Sequence, residues 1–265
     1  MRKFIVAIGL LSLARPAFSQ KGIEGLIGAE RAFAAYSVAH GTKAAFLKFL
    51  DSAGIMFDKG KAVNGIELWL KREDRPGILN WGPTFAGISQ SGDLGFTTGP
   101  WTLAGTGTDS IVGSGRFATV WHLDKRGEWK FLVDIGVGNT TPTYDTSVTR
   151  LYAPTAFTPG TLASLLEAET EFTRLAAISA SAAYRKFFGP GILNRNRDGA
   201  VSGNNINKAI KDNVQYTLTG SGIASSNDLG YVYGTTVIDG KTDNYLRVWR
   251  KNGKSWEIVM EVLRY

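Results

Sequence analysis

Two acids sit inside apolar runs that look alike. Asp134 lies in WKFLVDIGV (129–137) and Glu261 in WEIVMEVL (256–263). An apolar wall raises a carboxylate's pKa toward neutrality, the property a general base needs near pH 7. The plainer reading is a structural carboxylate, bonded to backbone or a basic side chain, or one facing water. Strand alternation puts Trp129, Phe131, Val133 and Ile135 on one face and Lys130, Leu132 and Asp134 on the other. In the second run Trp256, Ile258 and Met260 share a face, opposed by Val259 and Glu261. A second pair of acids, Glu30 and Glu169, falls within apolar helical stripes. A buried acid must be paired or protonated, so each either points into a pocket or anchors its helix to a strand. Its recurrence favours the anchor.

His122 follows Trp121, and Arg250 takes the matching later place. Histidine is the usual proton shuttle near neutral pH, although a lone strand histidine is more often just half-buried. His40, near a helix end, reads as a capping or surface residue. The aromatic residues Tyr36, Trp69, Trp81 and Trp101, and later Tyr216, Tyr231 and Tyr233, supply walls for ligand-binding sites. Ordinary core packing uses the same residue types.

Several chemistries are set aside. Two histidines and no cysteine argue against an ordinary zinc site, and no metal is expected. No G-x-S-x-G elbow occurs. Gly105-x-Gly107 lacks the third glycine and the following helix of a dinucleotide fingerprint. No P-loop occurs either, and no cofactor is implied. Asn139-Thr140-Thr141 matches a glycosylation sequon, which matters only in a eukaryotic secretory pathway.

The elements that must position these residues begin after a leader. Arg2 and Lys3, an apolar stretch from Phe4 to Ala14, and Ala17-Phe18-Ser19 read as a signal peptide over residues 1–19, cleaved before Gln20. A periplasmic or secreted protein is expected, without disulfides. Removing Arg2, Lys3 and Arg15 takes the formal charge from +7 to +4. The bases are interspersed with acids, so nucleic acid is not an expected partner. No later segment is apolar enough to span a membrane. The remaining roughly 245 residues suit two domains of ordinary size.

Helical spacing over 23–40, a short helix over 43–51, a strand over 53–57 and a helix over 65–72 capped by Asn64 come first. Strands over 81–90, 94–104, 116–124 and 129–137 follow. Residues 139–160 read as a linker with three prolines, and Thr158-Pro159 as a helix start. The first half then repeats. Ala168-Glu169-x-x-Phe172 answers Ala29-Glu30-x-x-Phe33, and AAYRKFF (182–188) answers AAFLKFL (44–50). Ala200-Val201-Ser202-Gly203 answers Ala62-Val63-Asn64-Gly65. Asp228-Leu229-Gly230-Tyr231 answers Asp93-Leu94-Gly95-Phe96, and Trp249 and Trp256 answer Trp121 and Trp129. The offset drifts only from 139 residues at Glu30/Glu169 to 127 at Trp129/Trp256. Five blocks in order indicate a tandem duplication, with domains at 20–138 and 161–265. Three helices followed by strands in each copy indicate α+β.

With its A-E-x-x-F first helix, its small-residue second helix, its N-G or S-G helix start and its closing W…G-x-W hairpin, each half resembles the NTF2-like superfamily, in particular SnoaL-like and DUF4440-type proteins. The resemblance implies two cones, each with three N-terminal helices packed on a strongly curved antiparallel sheet around an apolar pocket. It also implies activities from ketosteroid isomerase-like enzymes to proteins with none known, and fold alone does not choose. Three functions follow as expectations: a small-molecule-binding protein taking a small apolar molecule; a cofactor-free isomerase or dehydratase using Asp134 or Glu261; and a scaffold with filled pockets. Strands apolar on both faces predict that the cones pack sheet to sheet as an intramolecular pseudo-dimer. Neutralisation of both Asp134 and Glu261 by basic side chains excludes the enzyme.

Overall fold

A computed structural model describes residues 22–74, 76–107, 110–138, 140–141, 146–196 and 199–265. The expected signal peptide lies outside the described residues, as do residue 139 and residues 142–145 of the expected linker. In the first half, α1 (Ile23–His40) buries Ile23, Leu26, Ile27, Glu30, Phe33, Ala34 and Ser37 along one stripe and stops at Gly41. Helix α2 (Thr42–Phe49) runs into β1 (Leu50–Asp58) and β2 (Lys61–Asn64). Helix α3 (Gly65–Lys71) is capped as its sequence predicts: Asn64 Oδ1 accepts from the Glu67 N–H at 3.0 Å. Strands β3 (Ile78–Trp81), β4 (Phe85–Ile88), β5 (Leu94–Ala104), β6 (Ile111–Leu123) and β7 (Trp129–Gly138) complete it. One strand was expected over 81–90, but the chain breaks at Gly82-Pro83, where proline cannot donate to a ladder.

Strand β8 (Thr149–Leu151) lies in the stretch read as linker and pairs with β4. The second half has α4 (Leu162–Ala176), α5 (Ala180–Phe187), β9 (Phe188–Arg195), β10 (Gly199–Ser202), β11 (Gln215–Ile223), β12 (Leu229–Ile238), β13 (Lys241–Asn252) and β14 (Ser255–Leu263). Helix α4 starts later than Thr158-Pro159 suggests, because Thr161 and Ser164 cap each other reciprocally. The third helix of this half is a 3₁₀ segment, Gly203–Ala209, so three α-helices per copy holds only for the first.

The fold is α+β with two mixed sheets. Strand order is β2-β1-β7-β6-β5-β4-β8, with β3 beside β5, and β10-β9-β14-β13-β12-β11. The sheets are not wholly antiparallel. Strands β1 and β7 run parallel, as do β9 and β14. Each parallel pair is joined through most of its half, the long connection parallel strands require.

A bulge decides which way the acids face. Val120 opposes Val133, but Trp121 opposes Phe131, so Leu132 is an extra residue. Val259 is the extra residue in β14, between the pairs Val248–Met260 and Trp249–Ile258. Each bulge reverses the alternation. Trp129 and Phe131 pack under the helices, while Val133, Ile135 and Val137 face the other half. Asp134 therefore shares the helix-covered side with Trp129 and Phe131. Glu261 does so with Trp256 and Ile258, whereas Met260 faces outward. Unbroken alternation assigned both acids to the wrong company.

The outward faces of the two sheets form one apolar core, including Phe57, Phe96, Val120 and Val133 from one half and Val248, Met260 and Val262 from the other. Polar contacts at its edge are reciprocal. The Gln90 N–H donates to Asp228 Oδ2 at 2.9 Å, and the Ser225 N–H to Asp93 Oδ2 at 3.1 Å. Ser91 and Ser226 meet hydroxyl to hydroxyl at 2.8 Å. Among the described residues no helix is long and apolar enough to cross a membrane.

Candidate functional site

Asp134 lines a cavity of about 510 Å³ in the first half. Phe33, Phe46, Trp69, Trp81, Trp101 and Phe117 are the aromatic residues of its wall. Thr119, opposite Asp134 on β6, donates to its Oδ2 at 2.9 Å. Burial raises the Asp134 carboxyl to about 7; the Thr119 bond opposes this in part, and the nearby Glu30 charge adds to it. The side chain keeps some accessible surface, but it opens on the cavity, and so desolvation dominates.

Glu30 lies behind this wall, with no exposed surface. It accepts from Trp81 Nε1 at 2.6 Å, Thr97 Oγ1 at 2.5 Å and Trp121 Nε1 at 2.8 Å. Burial raises its pKa, and these donors offset that only partly. Glu30 thus joins α1 to three strands and fixes Trp81.

Small residues keep the interior open. An added Cβ at Gly115 would stand 2.6 Å from the Trp101 ring, and one at Gly136 3.5 Å from Trp101 Nε1. The indole therefore lies against a glycine floor, held by its Nε1 donating to Val137 O at 3.1 Å. Leu263 occupies the register place of Gly136 in the second half and is buried in its core. Around the mouth stand Lys43, Arg72, Glu73 and Asp74. Lys43 Nζ donates to Arg72 O at 2.6 Å, and Arg72 lies 3.5 Å from Asp58, so both cations are engaged.

The second half resolves the same positions differently. Glu261 is paired with Arg195 Nη2 at 2.5 Å and Arg247 Nε at 2.6 Å, and Tyr184 Oη donates to it at 2.6 Å. Burial pushes its pKa up, but the Arg247 and Arg195 charges outweigh this and hold the carboxyl below its ordinary value. Glu169 accepts from Arg247 Nη1 at 2.5 Å, Trp249 Nε1 at 3.0 Å and Tyr245 Oη at 3.1 Å. Arg195, Arg247 and Glu261 have no exposed surface. Glu261 is therefore a neutralised member of a buried ion network and no free base.

Trp69, Trp81 and Trp101 line the cavity with Asp134. Trp69 Nε1 is buried and finds no acceptor among the described residues. Tyr36 does not line it; Tyr36 packs on His40, with Lys48 Nζ 3.8 Å over its ring. Tyr216 packs against Arg247. Tyr231 and Tyr233 lie on the opposite face of their sheet, between the halves, where Tyr233 meets Phe57 at 5.9 Å. His122 Nε2 is 2.9 Å from Asp51 Oδ2, beside a small crevice shared with Tyr231, and does not line the cavity that holds Asp134. Among the described residues no group of three or more His, Asp or Glu is arranged to hold a metal ion. Sequence reasoning missed Thr119, Gly136 and the two network arginines. Arg247, an unpaired-looking base in the apolar run YLRVW (245–249), was the available signal.

No family profile and no curated protein matches the chain. Among solved structures it is similar to an NTF2-like protein of unknown function from Shewanella oneidensis, at 14% identity over 40% of this chain and 90% of that one, TM-score 0.33. A Δ5-3-ketosteroid isomerase from Mycobacterium sp. is similar at 14% identity over 41% and 91%, TM-score 0.29. An NTF2-like protein involved in plasmid conjugation is similar at 9% identity over 86% and 96%, TM-score 0.27. The likeness is one of outline.

Proposed function

We propose that the first half is a cone that binds a small, largely apolar molecule, and that the second is its structural counterpart. The observation that supports this is the aromatic cavity of about 510 Å³ with Asp134 at its wall, a size and lining ordinary for small-molecule sites. In this reading 20–138 and 161–265 are tandem NTF2-like domains, of the SnoaL-like or DUF4440 kind, joined by 139–160. The reciprocal Asp93 and Asp228 contacts support an intramolecular pseudo-dimer. The leader pattern of residues 1–19 supports a periplasmic or secreted location.

The test is uptake of the neutral fluorophore N-phenyl-1-naphthylamine. The chain should bind it at one site, and Gly136→Leu, which supplies the side chain found at Leu263, should abolish uptake. Unchanged uptake in that variant refutes the assignment.

A proton-transfer enzyme is the second reading, and it is favoured by one observation. Asp134 is raised to about 7 by burial, and among the described residues no cation pairs with it, the state a general base requires. Wild-type protein should speed deuterium exchange at the α-carbon of a cyclic ketone, and Asp134→Asn should not. Equal rates dispose of this reading and leave binding intact.

A further inference from the structure

The second half encloses a guanidinium among aromatic rings. There the Arg247 guanidinium lies 4.0 Å from the Phe172 ring centre, 4.8 Å from that of Tyr216 and 5.0 Å from that of Tyr245. It bonds both acids, Glu169 through Nη1 and Glu261 through Nε. Aromatic faces and two carboxylates stabilise a desolvated planar cation through cation–π attraction and charge-assisted hydrogen bonds.

Each wall of that enclosure recurs in the first half. Phe33 answers Phe172 in the A-E-x-x-F repeat. Trp81 opposes Trp101 as Tyr216 opposes Thr236. Phe117 stands two residues before Thr119 as Tyr245 stands two before Arg247. Glu30 and Asp134 answer Glu169 and Glu261. The cations are what differ. Thr119 opposes Asp134 where Arg247 opposes Glu261. By the same register Asp58 answers Arg195. Phe33, Trp81, Phe117 and Asp134 all face the cavity.

We infer that the first half binds a small organic cation bearing a guanidinium or amidinium group, seated among Phe33, Trp81 and Phe117 with its N–H groups on Asp134. This rests on reading the cavity as a small-molecule site. The ligand repeats the aromatic contacts of the Arg247 head group and its bond to the strand acid, while Glu30, buried behind the wall, stays with its own donors. Trp101 and Trp69 accommodate an attached apolar body. The rim does not oppose entry by net charge, since Glu73 and Asp74 stand beside Lys43 and Arg72.

The test titrates the full chain with benzamidine and its neutral near-isostere benzamide, followed by tryptophan fluorescence at about pH 8, where Asp134 is ionised. Benzamidine should bind at least about tenfold more tightly. Asp134→Asn should erase that preference while keeping benzamide binding. Thr119→Arg should place a tethered guanidinium in the enclosure and abolish binding of both. Equal affinities in the wild-type chain overturn the cation and leave the small-molecule reading standing. So does binding of neither in a protein that still takes up the naphthylamine probe. A preference for benzamidine that survives in Asp134→Asn also overturns the seat assigned here.

Discussion

Replacing Asp134 with asparagine removes one charge and little else, because an amide oxygen can accept the Thr119 hydrogen bond of 2.9 Å just as the carboxylate does. In the folded chain Asp134 keeps its proton up to about 7, against an ordinary value of 3.8. Between those values the unfolded chain loses this proton and the folded chain retains it. The unfolded state therefore binds fewer protons, and stability falls as pH rises through that window. At about 1.4 kcal/mol per pH unit, the window corresponds to at most about 4 kcal/mol. The asparagine variant has no such penalty. Its stability relative to wild type should be near zero at about pH 3 and favour the variant by about 2–4 kcal/mol at about pH 8. Glu30 titrates in both proteins and largely cancels; losing its charged neighbour shifts the difference in the same direction. Urea unfolding at the two pH values, followed by tryptophan fluorescence, measures this. A variant destabilised equally at both would show that Asp134 is ionised and compensated in the fold, and would refute the desolvated acid on which the site rests.

Arg247→Met should destabilise the chain by about 3–5 kcal/mol, since it leaves Glu169 and Glu261 buried without their shared cation; adding Glu261→Gln should restore part of the loss in the same urea assay. Gly115→Ala puts a methyl group 1.9 Å from Val137 O and 2.6 Å from the Trp101 ring. It should cost about 1–3 kcal/mol and reduce uptake of the naphthylamine probe. His122→Ala should leave that uptake unchanged and cost less than about 1 kcal/mol, because His122 pairs with Asp51 at a partly exposed position away from the cavity. Reduced uptake in this last variant would place the site elsewhere.

Much of the architecture was legible because it is local or repeated. The stripe through Leu26, Glu30 and Phe33, the Asn64 cap and the strands around Trp121 and Trp129 follow from short-range periodicity and capping chemistry. The repeat of A-E-x-x-F and D-L-G over both halves carried the rest. The site was less legible. Alternation gave Asp134 and Glu261 the wrong faces, because one extra residue, Leu132 or Val259, is invisible in a pattern yet reverses every side chain beyond it. Tyr231 and Tyr233 read as pocket walls, but each sheet of this pair has two covered faces, and composition does not distinguish them.

The sequence by itself determined that the chain is α+β, that short motifs recur in order in its two halves, and that an acid stands in each of two similar apolar runs. Only the tertiary structure decided that these acids have opposite fates. Glu261 meets Arg247 from the facing strand and Arg195 from β9, so its charge is matched. Asp134 meets Thr119, with Gly136 and Gly138 leaving room beside it. Whether a buried carboxylate is a structural ion or a reactive acid depends on which side chains reach it across the sheet, and that is set by strand register and packing rather than by its neighbours along the chain.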